Sequence, residues 1–204
     1  MALGDPYCST AELRDYCQIP DNVDDVQLAT VAAAISNGIE SYCRRQFNDA
    51  VTPSARVYVP DSTSHVIVDD FHTVTGLVVK TGDGAAGVFG TTLTDYTLYP
   101  LNGVQHGRTG FPWRRIVLPA ASFVTSTAGR GTVQVTARWG WAAVPADVKV
   151  AALIQGARVF GRRNSPHGLI SVGSGDYPFR VSRIDDPDVV RLLADFRLPC
   201  FGVA

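Results

Sequence analysis

The sequence predicts an α+β protein, in which a small α-helical bundle carries a large antiparallel β-rich insertion. Apolar residues recur at helical spacing near both ends of the chain. The middle consists of short alternating segments rich in Val, Thr and Tyr, separated by turn residues. The 204 residues, 46% hydrophobic and 18% charged, suit one compact globular domain or a small domain with a large insertion.

Changes of hydrophobic period divide the chain into three parts. We assign residues 1–50 and 143–163 to the helical bundle, and residues 51–142 to the β-rich insertion. Residues 164–204 are expected to form an extended arm with a C-terminal helix. The four expected helices lie at about residues 10–17, 24–46, 145–162 and 187–196.

The first helix has a clear start signal. Ser9 is a helix-capping residue, and Glu12 stands three residues later, as in a capping box. Leu13 and Tyr16 then share one face of the helix, which we expect to point into the bundle.

The second helix carries an apolar stripe. Asp24 and Asp25 suit the positive end of its dipole. Gly38 lies inside the helix, where glycine costs about 1 kcal/mol relative to alanine, so we expect it to permit close packing against another helix. The stripe consists of Leu28, Val31, Ile35, Ile39, Tyr42 and Phe47.

The β-rich insertion is expected to contain about six strands. In the last of these, alternate residues share one face, so Trp139 and Trp141 are expected to have a core or interface role, and Trp141 is a core candidate. The segments that predict the strands are RVYVP, HVIVDD, GLVVK, DYTLYP, RRIVLP and TVQVTARWGW.

The last two helices begin at prolines. Pro145 and Pro187 both suit a first helical turn, and Asp186 can cap the second of these helices. Val159 and Phe160 are core candidates. The apolar side of the last helix packs either on its own bundle or on another subunit, and the sequence leaves this open. That side is formed by Val189, Leu192, Leu193 and Phe196.

A glycine-rich stretch, TGDGAAG, follows the predicted strand GLVVK and matches the dinucleotide-binding pattern G-x-G-x-x-G at Gly82, Gly84 and Gly87. That pattern requires a helix after the glycines, because the helix N-terminus holds the pyrophosphate. The residues that follow, VFGTTLTDYTLYP, are mostly β-branched or aromatic. We therefore interpret the stretch as a loop between two strands.

No other pattern indicates an enzyme. Asp69, Asp70 and His72 are candidate metal ligands, but a turn between two strands is the favoured interpretation, and in a strand the two aspartates would point to opposite faces. The four cysteines include no C-x-x-C pair, and with no secretory signal at the start we expect reduced thiols. We predict no catalytic residue, no metal and no cofactor.

The net charge of −1 argues against a general nucleic-acid or membrane-surface binder. The basic pairs at 44–45, 114–115 and 162–163 can reach phosphates, but such pairs are more often solvated or engaged in salt bridges. No stretch approaches the roughly 20 apolar residues of a membrane span.

Four segments occur in a recognisable order. They are YCSTAELRDYCQIP, the helix end IESYCRRQF, the strand and helix VTARWGWAAVPADVKVAALIQGARVF, and the tail DPDVVRLLADFRLP. Together they resemble the head–tail connector, or adaptor (head completion), proteins of long-tailed bacteriophages. The Gly-Trp to Val-Pro junction and the Cys-Arg-Arg-x-Phe helix end are the most specific parts. The resemblance covers about residues 1–50 and 130–200.

The resemblance implies a structural virion protein rather than an enzyme. Such proteins form a twelvefold ring that joins the portal protein to the downstream neck or tail protein. The ring extends the channel through which double-stranded DNA passes without sequence-specific binding, and no membrane is involved. The expected location is the head–tail joint of the virion, reached from the host cytoplasm during assembly. The alternatives are another neck or tail protein, such as a stopper or tail terminator, and, less favoured, a nucleotide- or metal-binding enzyme.

The resemblance also suggests two contact surfaces. The arm and last helix, about residues 176–199, are expected to bind the portal or a neighbouring subunit. Val189, Leu192, Leu193 and Phe196 would be the anchors, with Arg180 and Arg183 as the polar rim. The β-rich insertion is expected to face outward or toward the tail.

Overall fold

A computed structural model describes residues 4–82, 88–119, 123–124, 130–164, 169–170, 179–180 and 186–199. The chain divides into two compact units. A β-rich unit comprises Met1–Gly4 and Gln46–Ala143, and a helical unit comprises Asp5–Arg45 and Val144–Ala204. All strand pairs between described residues are antiparallel. The predicted α+β class is confirmed.

The helical unit contains four α-helices close to the predicted positions. The second helix packs on the third, and the third also contacts the first and fourth. Short 3-10 turns follow the third and fourth helices, at Arg162–Asn164 and Ala194–Phe196. The helices are α1 Thr10–Tyr16, α2 Asp25–Cys43, α3 Ala146–Gly161 and α4 Pro187–Leu193.

Helix α1 begins with the predicted capping box. The Ser9 hydroxyl accepts a hydrogen bond from the backbone N–H of Glu12, whose carboxylate accepts one from the backbone N–H of Ser9. Leu13 is fully buried, as expected. The prediction that Tyr16 points inward is wrong, because Tyr16 is 49% exposed. Leu13, one turn before Tyr16, is the buried residue of this seven-residue helix.

The close approach between helices lies at a different glycine from the one predicted. A Cβ atom built on Gly38 would meet no described heavy atom within 4 Å, so the packing role assigned to Gly38 is wrong. A Cβ atom on Gly156 of α3 would lie 2.9 Å from Cδ1 of Leu13. Gly156 is therefore the residue that lets α1 and α3 come together.

The β-rich unit contains seven described strands rather than six. The missed strand, β4, has only three residues, too few to display an alternating pattern. The strands are β1 Ser54–Tyr58, β2 His65–Phe71, β3 Val78–Thr81, β4 Thr91–Leu93, β5 Thr97–Tyr99, β6 Trp113–Val117 and β7 Val133–Ala137.

These strands form two sheets that share one hydrophobic cluster. The four-stranded sheet has the order β1-β7-β3-β4, and the three-stranded sheet the order β2-β6-β5. Val79 and Val135 from the first sheet join Val66 and Ile116 from the second, together with Trp139. Trp139 is 1% and Trp141 5% exposed, so of the two expected roles, core or interface, both tryptophans have the core role.

Only part of the expected arm is described. Two short strands, β8 Leu169–Ile170 and β9 Phe179–Arg180, pair with each other. Residues 165–168, 171–178 and 181–185 lie outside the described residues.

Candidate assembly surfaces

The apolar side of α4 lies against its own helical unit. Val189 is 8% exposed, and Leu193 and Phe196 are each 2% exposed. Leu192, the fourth expected anchor, is half-buried. In the single chain, α4 therefore packs on its own helical bundle, which is one of the two arrangements that the sequence left open.

Polar contacts at both ends hold α4 in this position. The Asp186 carboxylate caps the helix by accepting from the backbone N–H of Asp188, and it pairs with Arg158 of α3 at 2.6 Å. Beyond the helix, the backbone N–H of Leu198 donates to the carbonyl of Cys43 at 3.0 Å. The capping role predicted for Asp186, with Pro187 as the first helical residue, is confirmed.

Of the two arginines expected at the polar rim, the structure describes only the backbone of Arg180. The backbone of Arg180 lies in β9, paired with Leu169. Arg183 lies outside the described residues. On α4 itself, Asp188 and Arg191 lie on the exposed side, opposite Val189 and Leu193.

The outer face of the four-stranded sheet is a second candidate surface. Val57 of β1 is 52% exposed, and Val78 of β3 is 37% exposed. Gln134 of β7 lies between Val57 and Lys80 in the register, and Thr136 lies between Ala55 and Val78. Lys80 is the one charged residue in these two rows. A face with so little charge is typical of the centre of a protein–protein interface.

A third candidate lies at the start of α2. Val23 lies just before the helix and Val26 in its first turn, and each is 81% exposed. The sequence prediction missed them because Val26 lies opposite the apolar stripe of α2 and Val23 precedes the helix. The sequence feature that could have identified Val23 and Val26 is an apolar residue type outside the predicted apolar stripe.

The proposed metal ligands are dispersed. Asp69 and Asp70 belong to β2, so their preferred assignment to a turn is wrong. Asp69 is exposed and pairs with Arg56 at 2.6 Å, whereas Asp70 is buried and accepts from the indole N–H of Trp141 at 3.1 Å. Their side chains thus point to opposite faces. Within the described residues, no three His, Cys, Asp or Glu side chains form a cluster that could hold a metal ion.

His72 has a different neighbour. Its Nε2 lies 3.9 Å from Oδ1 of Asp49. Asp49 is paired with Arg138, and its Oδ1 also accepts from the backbone N–H of Val51 at 3.0 Å. Arg138 is the main cause of a lowered pKa for the Asp49 carboxyl. Asp49 is therefore an ion-paired carboxylate with a structural role. It ties the segment before β1 to Arg138, which directly follows β7.

The glycine-rich stretch does not meet the dinucleotide-binding requirement. Gly82 directly follows β3, whereas Gly84 and Gly87 lie outside the described residues. The next described element is β4, which pairs antiparallel with β3. A strand in place of the required helix removes the N-terminal amides that would bind a pyrophosphate.

Arginines from the three basic pairs have protein partners. Arg163 pairs with Asp24 at 2.7 Å, and Arg45 is buried and donates to the carbonyl of Phe196 at 3.5 Å. The Arg115 guanidinium lies over the Tyr99 ring. Across the described part of the chain, no helix combines the length and apolar character needed to cross a bilayer.

Comparison with known proteins gives one consistent result. No family model and no curated protein matches the sequence. The fold is similar to a chain described as the neck of an empty GTA particle computed with C6 symmetry, with TM-score 0.57 and 20% identity over 100% of this chain and 96% of that chain. A second similar chain, from the neck of a native GTA particle computed with C12 symmetry, gives TM-score 0.53 and 18% identity over 96% and 91%.

A third similar chain comes from the virion of a native gene transfer agent (GTA) particle. It gives TM-score 0.53 and 19% identity over 100% of this chain and 96% of that chain. At these identities the comparison establishes a shared fold. Both the helical and the β-rich parts of the chain, including the long insertion, belong to that fold.

Proposed function

We propose that this chain is a structural virion protein that forms a ring at the head–tail joint. The ring joins the portal to the tail-side proteins and extends the DNA channel. The observation that carries the proposal is the fold likeness over the whole chain to components of gene transfer agent particles, two of them described as neck. The segments that resemble phage adaptors support the same function independently.

A ring of about twelve subunits is the proposed assembly. The similar neck structures were computed with C6 and C12 symmetry, and both are compatible with twelve copies. Each subunit of a ring contacts its neighbours through two different surfaces. The outer face of the four-stranded sheet and the exposed valines Val23 and Val26 are the two surfaces we assign to such contacts.

The arm and last helix are proposed to bind the portal or a neighbouring adaptor. Val189, Leu193 and Phe196 are buried in their own unit, so they would hold α4 in shape while its outward side makes the contact. That side carries Asp188 and Arg191, to which Arg180 and Arg183 would add positive charge. The partner surface would then be polar at its rim, as in most protein–protein interfaces.

The chemistry of the chain suits a channel better than a DNA-binding site. Its net charge is −1, so a ring of these chains would not attract the DNA backbone strongly. DNA must slide through the neck during packaging and ejection, and tight phosphate contacts would oppose this movement. We therefore propose no cofactor, no metal and no catalytic step.

The test is the mass of the chain alone and after mixing with its candidate portal, measured by light scattering on a sizing column. Co-migration in a complex whose mass fits the portal plus a ring of this protein would support the proposal. A chain that ignores the portal but binds a purified tail-side ring would indicate a stopper or tail terminator instead. A chain that binds neither would overturn the proposal.

A further inference from the structure

The start of α2 carries two exposed valines that do not take part in the packing of their own unit. Val23 precedes the N-cap residue Asp24, a position from which an apolar side chain often packs on the fourth helical residue as a hydrophobic staple. That residue is Leu28, which is fully buried, whereas Val23 is 81% exposed. Val26 is equally exposed. The free energy gained by covering these two side chains is therefore still available to a partner.

One of the three aspartates beside these valines lacks a cationic partner. Asp24 and Asp25 pair with arginines of the same unit, at 2.7 and 3.0 Å. Asp21 is exposed, and its Oδ1 accepts from the backbone N–H of Val23 at 3.2 Å. It forms no ion pair with any residue that the structure describes. Asp21, Val23 and Val26 thus form a surface, here called the α2 patch, with two apolar groups and one unpaired negative charge.

The outer face of the four-stranded sheet has the complementary composition. Val57 of β1 and Val78 of β3 are 52% and 37% exposed. Lys80 is the one charged residue in their two rows, and its cross-strand neighbours, Gln134 and Thr92, are both neutral. Its ammonium group has no ion-pair partner in the described part of the chain. This face therefore also offers two apolar groups and one unpaired charge, which is positive.

The two surfaces are also similar in size. Adjacent strands lie about 4.8 Å apart, and residues two positions apart in one strand are about 7 Å apart. Val57 and Val78 are two strands and two residues apart in the register, so they are separated by about 12 Å. The backbone from Val23 to Val26 spans at most about 11 Å. Both valines of the α2 patch can thus lie between Val57 and Val78, beside Lys80.

We propose that the α2 patch of one copy packs on the outer face of the four-stranded sheet of the next copy, with Asp21 paired to Lys80. This contact rests on the proposed ring, in which each subunit presents one surface and receives a different one. Apolar burial supplies the contact energy, and the charge pair sets the orientation. The charges also oppose a two-fold dimer, because two α2 patches would bring Asp21 against its own copy.

Charge reversal tests the pairing. Light scattering after mixing with the portal should show at least about tenfold less ring complex for Lys80→Glu and for Asp21→Lys, because each places two like charges in the contact. The double variant should assemble to within about twofold of the natural chain, since the pair is restored with its signs exchanged. Lys80→Glu with Asp15→Lys is the control and should stay defective, because Asp15 is exposed on α1, outside the α2 patch.

Cross-linking tests the position without changing any charge. Chains carrying Val26→Cys and chains carrying Val57→Cys are mixed in equal amounts with the portal, and a short bismaleimide should join residues 26 and 57 between two copies, as identified by peptide mapping. Val104→Cys in place of Val57→Cys is the matched control, because Val104 is 42% exposed but lies outside this sheet. We expect the 26–57 link to exceed the 26–104 link by at least about tenfold.

The outcomes separate this contact from the proposed function. If the natural chain forms no complex with the portal, the proposed ring is wrong, and this contact with it. If the natural chain forms the complex but both single charge reversals leave it unchanged, or the two cross-links have equal yields, the ring stands and this contact is wrong. Thermal unfolding of the unassembled reversal variants should change little, because neither charge has an ion-pair partner in the described part of the single chain. A loss of assembly at unchanged stability therefore reports on the contact.

Discussion

Leu13 of α1 lies directly against Gly156 of α3, where a Cβ atom would come within 2.9 Å of the leucine Cδ1. Leu13 is fully buried and cannot move aside into solvent. The contact explains why a glycine interrupts an otherwise good helical sequence. It also separates two helical glycines, Gly156 and Gly38, that are indistinguishable by helix propensity.

Alanine at these two glycines should have opposite effects. Gly156→Ala should lower the free energy of unfolding by about 1–2 kcal/mol, because overpacking typically costs 1–3 kcal/mol and outweighs the gain in helix propensity. Gly38→Ala should raise it by up to about 1 kcal/mol. Urea unfolding of both variants measures the difference. Adding Leu13→Ala should remove the penalty at residue 156, and a penalty that persists would contradict the contact.

Gly140 should tolerate alanine even less. Its φ is +94°, and a Cβ atom would overlap the backbone carbonyl oxygen of Asn48. Its own N–H donates to the carbonyl of Asp70 at 2.6 Å, so the backbone cannot easily withdraw. We expect Gly140→Ala to cost more than about 2 kcal/mol.

The control for Gly140 is Gly110→Ala. Gly110 has a φ of +88° but no described heavy atom within 4 Å of a built Cβ. It should show only the left-handed backbone cost of about 1–2 kcal/mol. Thermal unfolding of both variants compares the two costs, and equal losses would mean that the close approach to Asn48 contributes nothing. A larger loss at Gly140 would explain physically why Gly-Trp occurs at this junction.

The features that the sequence predicted well are local ones. The Ser9–Glu12 capping box and the Asp186 cap depend on residues three or fewer positions apart, so the pattern contains all the information. The alternation around Trp139 likewise determines which face is buried. These signals were sufficient for the α+β class and for the approximate position of each helix.

The features that failed depend on contacts far apart in the chain. Gly38 and Gly156 differ only in what packs against them. Asp69 and Asp70 were expected in a turn between two strands, whereas both belong to β2. In the structure, Arg56 and Trp141 supply partners from distant segments, and the strand continues through both carboxylates. No local pattern contains such partners.

The candidate surfaces were predictable only in part. The apolar side of α4 was visible in the sequence, but whether it packs on its own unit depends on α2 and α3. The exposed valines, Val57 and Val78, alternate with core residues, so the same period that identified the core also contained the outer face. Only the strand register shows that Lys80 is the one charged residue in the rows that contain Val57 and Val78.

Asp49 should make the stability of the protein depend on acid pH. The Arg138 guanidinium holds the pKa of the Asp49 carboxyl below its ordinary value of about 3.9. A depressed pKa in the folded state means that the ionised carboxylate stabilises the fold above pH 4. This contribution is lost as the pH falls through the folded-state pKa.

The measurement is urea unfolding of the natural chain and of Asp49→Asn between pH 7 and pH 2. The variant should be less stable at pH 7, and the difference should shrink below pH 4 as the natural carboxyl takes up its proton. Arg138→Gln should reduce the same pH dependence. A stability difference that stays constant across this range would mean that Asp49 acts through shape rather than charge.

The outer face of the four-stranded sheet should be required for assembly and dispensable for folding. Val57→Glu combined with Val78→Glu introduces two charges into a face that has only Lys80 in the same rows. Both side chains are already exposed in the single chain, so the thermal unfolding midpoint should change little. If the face is buried between ring neighbours, the two unpaired carboxylates would lose their hydration without gaining partners.

Light scattering after mixing with the portal should then show at least about tenfold less ring complex for the double variant, because each 1.4 kcal/mol of lost contact energy is a factor of ten. Val104→Glu is the control, since Val104 is 42% exposed but follows the 3-10 turn after β5, outside this sheet. The control should assemble like the natural chain. Normal assembly of the double variant would exclude this face from the ring contact and leave the valines at the start of α2 as the surface to test next.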